Sequence, residues 1–408
     1  MRRLAVLVGV VACGAVLAAQ GQPRLQRPRV EPLAESAWGD RERALVASFG
    51  QSGRAANDLK TFLRHPDMVE GIMPFVRYVS TASTLSPRDR ELLILRTAWL
   101  CRAEYLWAQH VPVARQAGLT AAEIHRVAEG PDAAGWAPAD AVLLRATDEL
   151  RADDFIVDDT WRALAARYDR EHLLDTVLTV GEEMLMAVVT NSLGVQPDAT
   201  LTDRLPVDVP YRVPPPAMPS AHVELTVPRV PPMTLAEMSP AMRALVDPTN
   251  SGRAPSNLFG TYAWHASMYE PREDQSEYIR QHLSLTAHTR EMGILRMSWL
   301  SRGDVAWSTH ASGARRTKLL TDEEIVAIGR GAADPVWGNV DAALLRAADE
   351  MRTGDMIRDA TWDTLAKHYT VPQLLDVMVS AVGYRIVSMF GSTFGVQREA
   401  GNAHFPWQ

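Results

Sequence analysis

Two cysteines, Cys13 and Cys101, are all that the 408 residues contain. One of them lies in the N-terminal leader, so a disulfide framework is excluded for the body of the chain, and so is a dithiol redox cycle. Excess positive charge is also missing: 42 Lys and Arg stand against 49 Asp and Glu, a net charge of −7. No basic face is available to neutralise a phosphate backbone, and no nucleic-acid partner is expected. His-Glu-x-x-His, Cys-x-x-Cys and His-x-His do not occur, so no metal site is expected from motifs. Gly-x-Ser-x-Gly and phosphate-cradling glycine loops are absent too, which leaves hydrolase, kinase and dinucleotide readings without support and implies no cofactor. Beyond the leader no uncharged apolar run reaches about 18 residues, so no membrane span is expected in the mature chain.

The leader itself has Arg2 and Arg3, an uncharged apolar run from Leu4 to Ala19, then Gln20-Gly21-Gln22-Pro23. That layout reads as a secretory signal peptide over residues 1–20 and predicts export to the periplasm or the exterior. Val10-Val11-Ala12-Cys13 leaves open a lipoprotein form anchored through Cys13.

What is present is a sequence written twice. Glu91, Arg96, Trp99, Arg102, Trp107, His110 and Arg115 return 200 residues later as Glu291, Arg296, Trp299, Arg302, Trp307, His310 and Arg315. From Trp136 and Trp161 onward the partners lie 201 apart, at Trp337 and Trp362, which places one inserted residue near Lys318. The repeat is too long for a solenoid and predicts two tandem globular domains, 28–196 and 228–397. Between them, residues 197–227 hold seven prolines, a density that blocks helix and favours a stiff extended linker or strap.

Apolar residues recur at three and four positions almost throughout, and alternating β-branched runs are scarce, so the fold class is all-α. Ser86-Pro87, Thr120 to Glu123 and Thr321 to Glu324 read as helix starts. One helix stop decides the chemistry. Were 88–117 a single helix, Glu91 and His110 would sit roughly 28 Å apart. Gly303-Asp304 argues instead for a break, with Gly303 as terminator and Asp304 as cap, and the same break at Arg102-Ala103-Glu104. Folding back there brings Glu91 level with His110, and Glu291 level with His310. Trp107, three residues before His110, is expected to wall a small pocket between them.

These residues have a familiar arrangement. Leu85-Ser-Pro-Arg-Asp-Arg-Glu91, Arg96, Tyr105-Leu-Trp-Ala-Gln-His110 and Gly118-Leu-Thr-Ala-Ala-Glu-Ile124 together resemble the carboxymuconolactone decarboxylase family, which is related to alkyl hydroperoxidase D. Asn57 and His65-Pro66, with Asn257 and His265, also resemble it. The resemblance implies two helical-bundle domains, a small-molecule substrate and a homo-oligomer. In the decarboxylase branch it implies a carboxylated lactone. In the hydroperoxidase branch it implies a Cys-x-x-Cys pair ahead of the histidine; here those places hold Ala103 and Leu106, then Gly303 and Ala306.

The leading expectation is an exported enzyme that moves a proton on a small carboxylated compound, a lyase or isomerase. Catalytic roles fall on Glu91, His110, Glu291 and His310, with the imidazole as general acid or base and the carboxylate as its partner. Substrate-binding roles fall on Arg96, Arg102, Tyr105 and Trp107, and on Arg296, Arg302 and Trp307, the arginines as forks for a carboxylate. Each has a plainer reading: a buried ion pair, structural salt bridges, core aromatics. His65 and His265 are expected as caps or core residues. Two further functions stay open, a peroxiredoxin-like hydroperoxide reductase working through Cys101 and a non-catalytic oligomeric scaffold. The loss of Tyr105 and Gly118 in the second copy, as Val305 and Lys318, suggests that one site has degenerated.

Overall fold

A computed structural model describes residues 24–50, 55–249 and 251–402. The leader, Cys13 included, lies outside them. The described residues form eighteen α-helices and no strand. In the first repeat they are α1 (Asp40–Phe49), α2 (Asn57–Phe62), α3 (Pro66–Thr81), α4 (Pro87–Leu100), α5 (Glu104–Gln116), α6 (Ala121–Glu129), α7 (Pro138–Asp153), α8 (Asp158–Ala165) and α9 (Arg170–Leu193). The second repeat follows the same order: α10 (Pro240–Val246), α11 (Asn257–Tyr262), α12 (Ala266–Glu277), α13 (Ala287–Leu300), α14 (Asp304–Arg316), α15 (Asp322–Arg330), α16 (Asn339–Gly354), α17 (Asp359–Leu365) and α18 (Val371–Phe394). A turn of π-helix, Tyr278–His282, extends α12.

Local chemistry sets these boundaries. Ser86 Oγ accepts from the Asp89 amide with Pro87 in the first turn, and Thr120 and Thr321 close capping boxes with Glu123 and Glu324. The helix break falls where the pattern put it, but a different residue makes it. Arg102 and Arg302 carry the left-handed backbone, at φ 49° and 48°, while Gly303 has an ordinary φ of −80°. Glycine is required at 303 for space, since a Cβ there would lie 2.1 Å from Ser388 Oγ.

The two repeats share one core. Helices α9 and α18 pack together at its centre, and α3 packs on α12. Among the described residues α18 alone has the length and hydropathy of a membrane span, and it is buried within this core. Polar contacts cross between the repeats reciprocally. Arg151 meets Asp355 at 2.5 Å and Arg352 meets Asp154 at 3.0 Å, all four buried. A second reciprocal set joins His65 to Asp376 and His265 to Asp175, each at 3.1 Å, with Tyr278 and Tyr78 hydrogen-bonded into the two contacts. The proline-rich segment 197–227 is non-helical and lies along the helices: Tyr211 donates to the Leu100 carbonyl at 2.6 Å, and the Leu300 carbonyl accepts from the Ser220 amide at 2.8 Å.

Candidate active site

The α4–α5 hairpin brings Glu91 and His110 together. His110 Nδ1 lies 3.0 Å from Glu91 Oε2, and in the second repeat His310 Nδ1 lies 2.7 Å from Glu291 Oε2. In the first repeat this pair opens on a cavity of about 380 Å³ bounded by α2, α3, α5 and α9. Nδ1 is occupied by Glu91, so Nε2 is the ring nitrogen available to a bound molecule.

Electrostatics make this a proton-holding site. Burial opposes charge on His110, but the Glu91 carboxylate, through its charge and its hydrogen bond, outweighs that and raises the imidazolium to about 9; Glu183 adds to the effect. Burial pushes the Glu183 carboxyl up to about 7, a rise that His110 opposes and the Glu91 charge reinforces. Asp58, which also lines the cavity, is raised by burial as well, although Tyr105 and the Leu59 amide hydrogen-bond to it. Two carboxyls near neutrality or above their usual range, beside one imidazolium, can donate, accept or share a proton.

Glu183 was missed by sequence reasoning, as were Asp58 and Gln109. A signal existed: Glu182 and Glu183 are adjacent carboxylates in the apolar run of α9, and both are buried. Such residues are rarely buried without a partner or a task.

The assigned binding residues lie elsewhere. Arg96 donates Nε and Nη2 to Asp148 at 2.6 and 2.8 Å, and Nη1 to the Val127 and Ala128 carbonyls. Arg296 does the same with Asp349 and the Ile328 and Gly329 carbonyls. Both guanidiniums tie helices together, outside the cavities. Arg102 sits at the turn with its guanidinium over Tyr211, and Arg302 donates to the Ser220 carbonyl. Tyr105 is buried, its hydroxyl accepting from the Asp58 amide at 3.2 Å, so it braces α2 behind the cavity. Trp107 and Trp307 pack on Trp99 and Trp299 in the core. The cavity stripe of α5 is Leu106, Gln109, His110 and Val113; Trp107, one residue and about 100° round the helix from Leu106, faces the core instead. His65 and His265 are core residues, as expected, though each is bonded across the repeats.

The second site is built differently. Tyr384 stands where the first repeat has Glu183, and its ring meets that of His310 edge-on at 4.5 Å. Leu258 replaces Asp58. Glu291 is held below the usual carboxylate range: burial works against this, but His310 and Arg290 outweigh it. Its cavity is about 200 Å³ and lined mainly by apolar groups.

Residues 66–149 and 270–350 each match the model of the carboxymuconolactone decarboxylase family. Each repeat thus carries one segment similar to that family. The matched segments carry α3 to α5 and most of their counterparts, so the Glu91–His110 and Glu291–His310 pairs both fall inside them. A crystal structure from Agrobacterium tumefaciens is similar at 19% identity and TM-score 0.30, over 32% of this chain and 90% of that one. It is described as a protein of unknown function, proposed to be the antioxidant defence protein AhpD. No curated protein matches the chain. Cys101 is buried and its thiol is pushed up to about 12, chiefly by desolvation, so the dithiol chemistry of the wider family has no counterpart among the described residues.

Proposed function

We propose that this protein is an enzyme that transfers a proton on a small carboxylated organic molecule, by decarboxylation or isomerisation, in the first-repeat cavity. The observation that carries the reading is the Glu91–His110 contact: 3.0 Å, with Glu91 buried and His110 partly so, leaving Nε2 for the substrate. With the imidazolium raised to about 9, His110 is a proton donor at neutral pH. In a decarboxylation, the carbon–carboxylate bond breaks and its electron pair remains as an enolate. The His110 cation stabilises that charge and then delivers its proton to carbon. Glu183, pushed up to about 7 in the wall of the same cavity, then serves to return a proton to the imidazole.

Anchorage of the substrate carboxylate passes from Arg96 to other groups, because Asp148 holds Arg96. Arg77 lines the cavity and is the arginine suited to that task. Three carboxyls in the same wall favour a substrate with a single negative charge. The leader of residues 1–20 adds to the proposal that this chemistry takes place outside the cytoplasm.

The test starts without a substrate. An NMR titration of His110 is expected to centre near 9 and, in Glu91→Gln, to fall markedly, since burial is then opposed by Glu183 alone. Carbon dioxide release and solvent-deuterium incorporation would then be screened with lactones and β-keto acids, with a loss of about 10²–10⁴ expected in His110→Gln. An ordinary titration indifferent to Glu91 would remove the basis of the reading.

A further inference from the structure

The second cavity lacks the counterparts of Glu183 and Asp58 and gains a buried cation. Tyr384 and Leu258 occupy the places of Glu183 and Asp58, while Arg272 and Tyr262 stand where the first repeat has Ile72 and Phe62. Both newcomers line the cavity and are buried. Arg272 Nη1 donates to Gln275 Oε1 at 3.0 Å and to Ser276 Oγ at 3.1 Å, both neutral. Its Nε has no hydrogen-bond partner, and its guanidinium lies 5.6 Å from the centres of the Phe75 and Tyr262 rings, with the Tyr262 hydroxyl beside it. Among the described residues no carboxylate comes within ion-pair distance of Arg272; Glu182 is reached only through the Gln275 amide, at 2.9 Å. The other charges of this wall are already engaged, Arg280 by Glu273 and Glu277, and Glu399 by the Asn257 amide.

A buried guanidinium whose direct hydrogen-bond partners are neutral, and which reaches Glu182 only through an amide, gains from a direct anionic partner. Arg272 and Tyr262 stand in a wall whose other members include Phe259, Ile279 and Val387, around about 200 Å³. We propose that this cavity is a separate binding site for a small apolar monocarboxylate, its carboxylate on Arg272 and Tyr262 and its hydrocarbon body against the apolar wall. Tyr384, set against His310, makes it a binding site in place of a second proton-transfer centre. The inference is independent of the chemistry proposed for the first cavity.

Binding of para-fluorobenzoate to the full chain, followed by fluorine NMR and calorimetry, tests it. The wild type is expected to bind, para-fluorobenzyl alcohol to bind at least about tenfold more weakly, and Arg272→Met to lose about tenfold or more. Tyr384→Glu, which leaves Arg272 in place, covers the case in which Arg272→Met does not fold; its added carboxylate is expected to weaken binding by a similar factor. His110→Gln is expected to leave binding unchanged. Absence of wild-type binding at about 10 mM, equal binding of the alcohol, indifference to Tyr384→Glu, or loss in His110→Gln would each overturn the assignment.

Discussion

His65 and Asp376, 311 positions apart in the chain, are joined at 3.1 Å, and His265 and Asp175 repeat the contact in the opposite direction. Asp376 also accepts from the Tyr278 hydroxyl at 2.5 Å and from the Ser284 amide at 2.6 Å, so a single carboxylate gathers donors from both repeats. A Cβ on Gly71 would strike the Tyr278 ring at 2.4 Å, which is why α3 can approach closely enough for the contact to form.

Asp376→Asn is therefore expected to lower unfolding free energy by about 2–4 kcal/mol, since it leaves buried donors facing an amide. Denaturant unfolding measures this. A loss under about 0.5 kcal/mol would mean that the apolar core alone joins the repeats.

Stability is expected to fall as pH rises from about 5 to 9. Glu183 has a folded-state value near 7, above its usual 4.5, and His110 one near 9, above 6.5. In both cases the folded chain holds a proton that the unfolded chain has released, so alkali favours unfolding. The Glu183 contribution disappears between about 4.5 and 7 and the His110 contribution between about 6.5 and 9. Glu183→Gln should flatten the first part of the curve, and melting temperatures across pH would show it.

Arg96→Leu and His110→Gln should separate cleanly. Losing Arg96 strands Asp148 and two carbonyls and is expected to cost about 3–5 kcal/mol of stability. Losing His110 should cut the turnover of the folded protein by about 10²–10⁴. If Arg96→Leu melted like wild type and raised KM alone, the arginine would be a substrate anchor after all.

Cys101→Ser should leave activity unchanged, and alkylation of Cys101 in the folded protein should be slower than that of a free thiol by about 10² or more, because thiolate formation is suppressed. Mass spectrometry over a time course decides this. Rapid alkylation would reopen the hydroperoxide reading.

The duplication, the helical class, the caps at Ser86, Thr120 and Thr321 and the inserted residue before Thr321 were legible because each depends on neighbours in sequence. The Glu91–His110 contact was legible for a related reason: a hairpin with a known turn places residues equidistant from that turn at the same height. Which stripe of α5 faces the cavity was not. Trp107 and His110 are three apart, and only the position of α9 decides which of them meets open space. Arg96 could not be told from a ligand-binding arginine until Asp148, 52 positions away, was seen to hold it. The differing chemistry of the two cavities was likewise set by residues such as Glu183 and Tyr384, contributed by a helix remote in sequence. Local periodicity and capping determine the helices, and the sequence alone contains them. The facing of side chains into a shared core and its cavities depends on how the helices pack, and that belongs to the tertiary structure.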